Sequence, residues 1–291
     1  MYDRILVPVD GSAATDRALA HALALASDSD AAVRTLSIVE PLPADLPEAD
    51  RLDTTAVDGD RLASRAADAG TERLSFDHVT REGAPYREIL AHAGEFDADL
   101  IVMGIRGVGS PDRRRLGSTA ARVMALADRP VLAVPPPDTK ATEAKITYER
   151  AVVPTDGSDA AERAAECALS FAEFVGAAVH VVHVLDTTRY DLEEAPEDVA
   201  GLLWEGGHDV VESAALEARR RDLDVTTEVL RGIPDVEILE YADRVDADLI
   251  AMGVRGETLG TAGVLGSTTG RVAGRSRWPV LTCGRKGRGG R

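Results

Sequence analysis

Short apolar runs alternate with helical patterns along the whole chain. The first run, residues 5–9, has no polar alternation, so it predicts a strand that is buried on both faces, as in a parallel sheet. Residues 13–27 carry apolar side chains at helical spacing and predict a helix with one buried face. The pattern continues with strands predicted over 33–39, 75–80, 100–103 and 130–134, and helices over 61–69, 86–94 and 119–127. This alternation predicts an α/β fold with an open parallel sheet.

The chain is a tandem repeat of one unit. Residues 2–12, YDRILVPVDGS, return 146 positions later as YERAVVPTDGS. Residues 97–104, DADLIVMG, return 149 positions later as DADLIAMG, so the second copy has gained 149 − 146 = 3 residues in between. The second copy repeats the predicted strands at 151–154, 179–185, 249–252 and 280–282. Each copy is far too long for a solenoid repeat, so each is predicted to be a complete domain.

The domain limits follow from composition. We predict domains over residues 1–138 and 148–284, each long enough to bury its own core. Between them, residues 139–147 form a polar linker that follows three consecutive prolines. Residues 285–291, RKGRGGR, are basic and rich in glycine, and we predict a disordered tail.

Charge narrows the range of partners. The chain has 50 acidic and 33 basic residues and a net charge of −17, which repels phosphate backbones and disfavours nucleic-acid binding. Only three basic residues are lysines, and many acids with few lysines suit a halophilic cytosol and a haloarchaeal source. No apolar run is long enough for a membrane span, and no signal peptide precedes the first strand, so we expect a cytoplasmic protein.

The sequence shows no arrangement typical of a catalytic or metal site. Cys167 and Cys283 are too few for a disulfide framework or a four-cysteine zinc site, and we interpret both as small buried apolar residues. The histidines lack ligand spacing, and neither a P-loop nor a Ser/His/Asp constellation occurs. We therefore predict no catalytic residue and no metal ligand.

Two turns between strand and helix carry unusual residues in both copies. Ligands of open α/β sheets bind beyond the carboxyl ends of the strands, where the strand order reverses. The first turn, residues 10–12, reads Asp-Gly-Ser and returns as residues 156–158. One interpretation is a capped helix start, in which serine is the N-cap and glycine permits the tight turn. The other is an aspartate that binds a ribose hydroxyl or approaches magnesium.

The second turn is more specific. Residues 104–107, GIRG, are followed by nine residues and then Gly117-Ser118, and residues 253–256, GVRG, by nine residues and then Gly266-Ser267. Glycines let backbone N–H groups approach an anion, and the helix that follows offers its N–H groups and dipole to a phosphate. A loop that merely turns between strand and helix is the alternative, and the identical spacing in two copies argues against it.

Together these motifs resemble the universal stress protein family, in tandem over nearly the whole chain. The ATP-binding pattern of that family is glycine, two residues, glycine, nine residues, glycine and Ser or Thr, and both copies meet it in full. The strand that ends in Asp-Gly-Ser and the segment Asp-Leu-Ile-x-Met-Gly complete the resemblance. It implies the ATP-binding subclass and two Rossmann-like domains, similar to adenine nucleotide alpha hydrolases, each a five-stranded parallel sheet with helices on both faces.

The resemblance also implies a site in each copy for an adenine nucleotide (ATP, or AMP or ADP), with or without Mg²⁺. The aspartates would face the ribose or magnesium, the end of the second strand the adenine, and the glycine loop the ribose and phosphates. The implied residues of the first copy are Val9, Asp10, Gly11, Ser12, Ile38, Met103, Gly104, Arg106, Gly107, Gly117, Ser118 and Thr119. Those of the second copy are Thr155, Asp156, Gly157, Ser158, Val184, Met252, Gly253, Arg255, Gly256, Gly266, Ser267 and Thr268.

The family resemblance further implies pairing through the last strand of each copy. It predicts an intramolecular pseudo-dimer of the two domains and a homodimer of two chains. We predict a regulatory, nucleotide-binding protein of the stress response. One alternative is a slow Mg-dependent ATPase, against which no general base or arginine finger stands out. The other is a nucleotide-free dimeric scaffold, against which the intact glycines argue.

The two glycine loops differ in charge, which predicts unequal sites. Residues 113–115 of the first loop are three arginines, whereas residues 257–265 of the second contain no cation and begin with Glu257. We expect the first copy to bind ATP more tightly, because three cations neutralise a triphosphate; the alternative is a solvated run that balances the acidic surface. Titrating separately expressed halves with ATP tests this, and equal affinities would contradict it.

Overall fold

The computed structural model describes residues 2–27, 29–41, 59, 62–64, 75–107, 116–137, 146–188, 197–254 and 264–284. The chain forms two compact units, and the division between their main parts falls between Ile146 and Thr147. Among the described helices, none is both long enough and apolar enough to cross a membrane.

The first unit contains five described strands and three described helices. They are β1 (Arg4–Val9), α1 (Ala13–Ser27), β2 (Ala32–Val39), β3 (Phe76–Glu82), α2 (Pro85–Glu95), β4 (Leu100–Gly104), α3 (Ser118–Leu126) and β5 (Val131–Val134). The predicted strands of this unit are all present, with ends shifted by at most two residues. Most of the helix predicted over 61–69 lies outside the described residues, of which 62–64 are helical.

Within its described residues, the second unit repeats this order and adds a helix between its second and third strands. Its elements are β6 (Arg150–Pro154), α4 (Asp159–Val175), β7 (Ala178–Asp186), α5 (Glu197–Arg220), β8 (Val225–Gly232), α6 (Pro234–Arg244), β9 (Leu249–Gly253), α7 (Ser267–Arg275) and β10 (Val280–Cys283). The longest is α5, which packs on β7 and β8.

Each unit is a doubly wound parallel sheet, as predicted. The strand order is β3-β2-β1-β4-β5 in the first unit and β8-β7-β6-β9-β10 in the second. Neighbouring strands within each unit pair in parallel. The order reverses between β1 and β4, and between β6 and β9, because the chain builds outward from the centre first in one direction and then in the other. In open α/β sheets such a reversal is where a crevice forms, and we call this region of each unit its crevice.

The centre of each sheet is apolar because helices cover it. Ile5 of β1 pairs with Leu100 of β4, and Leu6 pairs with Ile101. All four side chains are 0% exposed. Helix α1 packs on β1 and β4, and α4 packs on β6 and β9. The continuous apolar runs seen in the sequence are therefore the inner strands of a sheet that does not face water.

An aspartate carboxylate, here called the register lock, holds the first strand of each unit. The carboxylate of Asp99, just before β4, accepts hydrogen bonds at Oδ2 from the backbone N–H groups of Asp3 and Arg4, both at 3.0 Å. Oδ2 of Asp248 repeats both bonds at the start of β6, at 2.9 and 3.0 Å. The repeated segment Asp-Leu-Ile-x-Met-Gly thus begins with an aspartate that ties the two central strands together.

One expectation about the cysteines was wrong. Cys167 of α4 and Cys283 of β10 are buried as predicted, at 8% and 5% exposed, but a disulfide joins them. They are 116 positions apart in the sequence. Their pairing depends on how α4 packs against the end of β10, and no local pattern carries that information.

Removing the register lock should destabilise the first unit. In Asp99→Ala, two backbone N–H groups lose their acceptor, so we expect the free energy of unfolding to fall by about 2 kcal/mol. Equilibrium urea unfolding measures this. The matched control is Asp97→Asn, at a backbone φ of 54° that asparagine tolerates. Its exposed ion pair with Arg4 contributes little, so a change within about 0.5 kcal/mol is expected. Equal changes in the two variants would contradict the lock.

Candidate functional site

The carboxyl ends of the two central strands meet where the strand order reverses. In the first unit Asp10 directly follows β1, and Gly104 is the last residue of β4. A Cβ atom on Gly104 would lie 2.9 Å from the backbone carbon of Ala14, so this glycine lets β4 pass close to the start of α1. The first glycine of the loop therefore serves strand–helix packing.

The Asp-Gly-Ser turn is a capped helix start that also holds the aspartate carboxylate. Asp10 Oδ1 accepts hydrogen bonds from the Ser12 N–H at 3.0 Å and from Thr15 Oγ1 at 3.1 Å. Ser12 Oγ accepts from the Thr15 N–H at 3.3 Å, as an N-cap does. Gly11 has a φ of +79°, in the left-handed region that favours glycine. A Cβ atom on Gly107 would overlap Asp10 Oδ2, so the second carboxylate oxygen faces the glycine loop.

The second unit builds the same turn with small differences. Asp156 Oδ1 accepts from the Ser158 N–H at 3.2 Å and from Ser158 Oγ at 2.7 Å. Ser158 Oγ in turn accepts from the Ala161 N–H at 3.2 Å and caps α4. Gly157 has a φ of +75°. Both copies therefore hold an aspartate at the mouth of the crevice by hydrogen bonds to its own turn.

The glycine loop closes on itself in both units. The Gly117 N–H donates to the Ile105 carbonyl at 2.8 Å, and the Gly266 N–H donates to the Val254 carbonyl at 2.9 Å. These bonds bring the start of α3, or of α7, next to the end of the strand that precedes the loop. A Cβ atom on Gly117 would lie 3.0 Å from the Ile105 oxygen, so the closed loop leaves little room for a side chain.

A further bond joins the loop to the first turn. Ser12 Oγ donates to the Arg106 carbonyl at 3.4 Å, so the residues that follow β1 and β4 form one local structure. Ser118 is exposed and Thr119 half-buried at the start of α3. The first N–H groups of a helix have no partner within it, and together with the helix dipole they attract anions. The arrangement suits a phosphate group.

Not every predicted residue can be placed. Arg255, Gly256 and the arginines at 113–115 lie outside the described residues. In the first unit the described residues at the crevice are Val9, Asp10, Gly11, Ser12, Met103, Gly104, Arg106, Gly107, Gly117, Ser118 and Thr119. In the second unit they are Thr155, Asp156, Gly157, Ser158, Met252, Gly253, Gly266, Ser267 and Thr268. Val9, Met103, Thr155 and Met252 are buried, and so support the crevice more than they line it.

The residues predicted beside the adenine lie at the ends of the second strands. Val9 of β1 pairs with Ser37 of β2, so Ile38 is one residue beyond that pair, beside the Asp-Gly-Ser turn. In the second unit Pro154 pairs with Val182, and Val184 lies two residues further along β7. Ile38 and Val184 are both half-buried. Each adds an apolar side chain next to the crevice.

His183 is a neighbour of the second crevice that sequence reasoning did not single out. Its Nδ1 donates to the Thr155 carbonyl at 2.9 Å, at the end of β6. Its ring packs under α5, where a Cβ atom on Gly207 would lie 3.1 Å from the histidine Cδ2. The same helix covers the first turn, since a Cβ atom on Gly157 would lie 2.8 Å from Val210 Cγ2. The contacts made by Gly207 and Val210 arise because α5 crosses the strand ends, whereas the His183–Thr155 bond joins β7 to the residue that follows β6.

Comparison with known proteins decides the family. The profile of the Universal stress protein family matches residues 1–135 and 147–284, once for each unit. The chain belongs to the universal stress protein family. Universal stress protein MJ0531 of Methanocaldococcus jannaschii is 35% identical over 137 residues, which cover 46% of this chain and 81% of that protein.

A universal stress protein of Mycolicibacterium smegmatis shares the tandem length. It is 27% identical over 293 residues, which cover 95% of both chains. A universal stress protein from Archaeoglobus fulgidus has a solved structure that superposes with a TM-score of 0.67 and 23% identity, covering 98% of this chain and all of that one. That likeness supports the fold. Among the described residues, no group of three or more His, Cys, Asp or Glu side chains is placed to hold a metal ion.

The two units of this universal stress protein hold the helix that follows the glycine loop in different ways. In the second unit Asp235 of α6 is 2% exposed, and its two carboxylate oxygens each lie 2.8 Å from a guanidinium nitrogen of α7, one of Arg271 and one of Arg275. In the first unit the guanidinium of Arg122 lies 4.8 Å from the ring centre of Tyr86, a cation–π contact between α2 and α3. Both contacts fix the helix that follows the glycine loop.

The two ion pairs of Asp235 with Arg271 and Arg275, here called the carboxylate clasp, should hold α7 in place. Asp235→Asn removes the charge shared by two arginines, so we expect the second unit to lose about 2 kcal/mol of unfolding free energy. Asp243→Asn is the matched control, because Asp243 pairs with Arg277 on the surface, where an ion pair contributes less than about 1 kcal/mol. Urea unfolding with hydrogen exchange of α7 measures both variants. Equal losses would show that the clasp contributes nothing beyond a surface pair.

Proposed function

We propose that this universal stress protein binds adenine nucleotides, ATP first among them, at the crevice of each unit, and that binding regulates its association with partners in the stress response. The observation that carries the proposal is the closed glycine loop. In both units one backbone hydrogen bond draws the start of the helix that follows the glycine loop to the end of the central strand. An aspartate held by its own turn lies opposite.

The chemistry of the crevice suits a nucleotide phosphate and ribose. Helix N–H groups and the hydroxyls of Ser118 and Thr119 donate to phosphate oxygens. Asp10 Oδ2 accepts from a ribose hydroxyl, while Oδ1 stays bonded to the turn. Charge-assisted hydrogen bonds contribute roughly 1.5–3 kcal/mol each. Four or five of them are enough for micromolar binding after the entropic costs of association.

The adenine needs an apolar neighbour, and the second strands supply one. Ile38 in the first unit and Val184 in the second are half-buried, each beside the Asp-Gly-Ser turn of its own unit. Such an apolar side chain suits one face of a purine ring. We propose that ATP arrives with Mg²⁺ bound to its phosphates. The Asp10 carboxylate faces the glycine loop, and we propose that it and the Asp156 carboxylate contact the ribose or the hydrated ion.

The wider organisation remains a prediction from sequence and family resemblance. We propose domains over residues 1–138 and 148–284, joined by the linker 139–147, an intramolecular pseudo-dimer through β5 and β10, and a homodimer of two chains. The acidic, lysine-poor surface supports a halophilic cytoplasm as the place of action.

Nucleotide binding is tested on the purified full chain. We expect mass spectrometry to identify a co-purified adenine nucleotide, and calorimetric titration with ATP and Mg²⁺ to show two sites of micromolar affinity. Gly117→Val should remove the first site, because its side chain would crowd both the phosphate position and the Ile105 carbonyl. Gly266→Val should remove the second site, and the double variant both.

Gly94→Ala is the matched control. A Cβ atom at this exposed helical glycine meets nothing within 4 Å, so both sites should persist. Circular dichroism checks that each variant is folded. Unchanged ATP binding in the folded double variant would refute the assignment of the loops, and a wild-type chain that neither carries nor binds nucleotide would favour the scaffold.

A further inference from the structure

The disulfide of the second unit joins the two segments that carry its crevice. Cys283 pairs in register with Gly253, the glycine that ends β9 and opens the glycine loop. Cys167 lies in α4, nine positions after Ser158, which caps this helix from the Asp-Gly-Ser turn. The covalent bond therefore links α4, which follows the Asp-Gly-Ser turn, to β10, which lies beside the strand that leads into the glycine loop.

The elements around the disulfide connect it to the glycine that opens the loop. Helix α4 packs on both β9 and β10, so the bond spans two elements that already touch. The Cα atoms of the two cysteines are 6.1 Å apart. On the other side of the loop, Thr269 Oγ1 of α7 donates to the Gly253 carbonyl at 2.8 Å. Gly253 is thus held between a strand that is covalently tied to α4 and the helix that follows the loop.

The first unit lacks this bond at the same positions. His21 lies nine positions after Ser12, as Cys167 does after Ser158. Val134 pairs with Gly104, as Cys283 pairs with Gly253. The first crevice therefore has the same turn and the same loop closure without the cross-link, and it serves as a control within the chain.

We propose that Cys167 and Cys283 form a redox-modifiable site that controls nucleotide binding by the second unit. The inference rests on the proposed function of that crevice. The co-reactant is a dithiol: one of its thiolates attacks a cysteine sulfur and releases the other cysteine as a thiol, and its second thiol then displaces the first cysteine. Two electrons and two protons pass to the protein, which ends with two thiols, and the dithiol ends as a disulfide.

Reduction weakens binding because the crevice loses a constraint. Without the cross-link, α4 and the end of β10 move more independently, and nucleotide binding must order them again at a cost in conformational entropy. The coupling is reciprocal. A nucleotide that binds the oxidised form more tightly shifts the thiol–disulfide equilibrium toward the disulfide by the same factor. Burial of both sulfurs means that a small dithiol reaches them through local opening of the unit.

Calorimetry in two redox states tests the proposal on the full chain. Gly117→Val is used as background so that the second crevice is read alone, and ATP with Mg²⁺ is titrated after oxidation with oxidised glutathione or reduction with dithiothreitol. We expect the Kd for ATP to rise about tenfold on reduction. In the opposite background, Gly266→Val, the Kd of the first crevice should not change.

The equilibrium itself provides an independent readout. The wild-type protein is equilibrated, with and without ATP, in buffers that contain reduced and oxidised dithiothreitol at a series of ratios. Free thiols are then counted by alkylation and mass spectrometry. Saturating ATP should shift the midpoint ratio toward the disulfide by the same factor of about ten. The double variant Cys167→Ala, Cys283→Val cannot form the disulfide. Its valine is the residue that the first unit has at the equivalent position, Val134. This double variant should bind ATP as the reduced form does under both conditions.

The outcomes separate the two proposals. Equal ATP affinity in the oxidised and reduced chain overturns the redox control and leaves the proposed function standing. So does a redox effect that persists in the cysteine-free variant, or a disulfide that fails to form in oxidised glutathione. A folded, oxidised chain that binds ATP at neither crevice overturns the proposed function, and the redox control of binding with it.

Discussion

The pairing of the two central strands is the constraint on which the rest of each unit depends. Ile5 pairs with Leu100 and Leu6 with Ile101, and the second unit repeats this register with Ala151 and Leu249. The pairing is short, and it is where the strand order reverses. A slip of one residue would turn every side chain of the strand to the opposite face. The buried apolar pairs and the aspartate lock before β4 and β9 exclude that slip.

Once the register is fixed, the crevice follows from short-range chemistry. The Asp-Gly-Ser turn comes directly after one central strand and the glycine loop directly after the other, so both must begin at the same edge of the sheet. Each piece has an ordinary structural reason. Gly104 makes room for α1, Gly11 adopts a left-handed φ, and Gly117 closes the loop on a carbonyl. Their meeting sets the start of a helix beside a carboxylate, which is the arrangement that the proposed nucleotide site uses.

The two units have the same sheet and differ in the contacts that hold the surrounding elements in place. The helix after the glycine loop is held by a cation–π contact on Tyr86 in the first unit and by the buried Asp235 clasp in the second. A disulfide ties α4 to β10, where the first unit has His21 and Val134. These differences lie in the covering helices and in the last strand of the unit, which tolerate change because the central pairing does not depend on them. The units therefore differ in their ion pairs and in their cross-link while sharing one architecture.

The sequence by itself determined the repeat, the order of elements and the class of fold. These features are local, because a buried parallel strand is a continuous apolar run and a capped helix start is a short motif. It also located the two turns of each crevice, since the residue that follows a strand is decided by chain order. The strands whose bounds were predicted deviate from those bounds by at most two residues, and β8 (Val225–Gly232) had no predicted bounds.

Only the tertiary structure decided the contacts between distant segments. The Cys167–Cys283 bond, the Asp235 clasp and the contact of His183 with Thr155 each join elements that the sequence lists far apart. Their geometry depends on how strands pair and how helices pack on the sheet, which periodicity does not encode. A pair of cysteines at that separation looks like two small buried residues until the fold brings a helix and a strand within bonding distance.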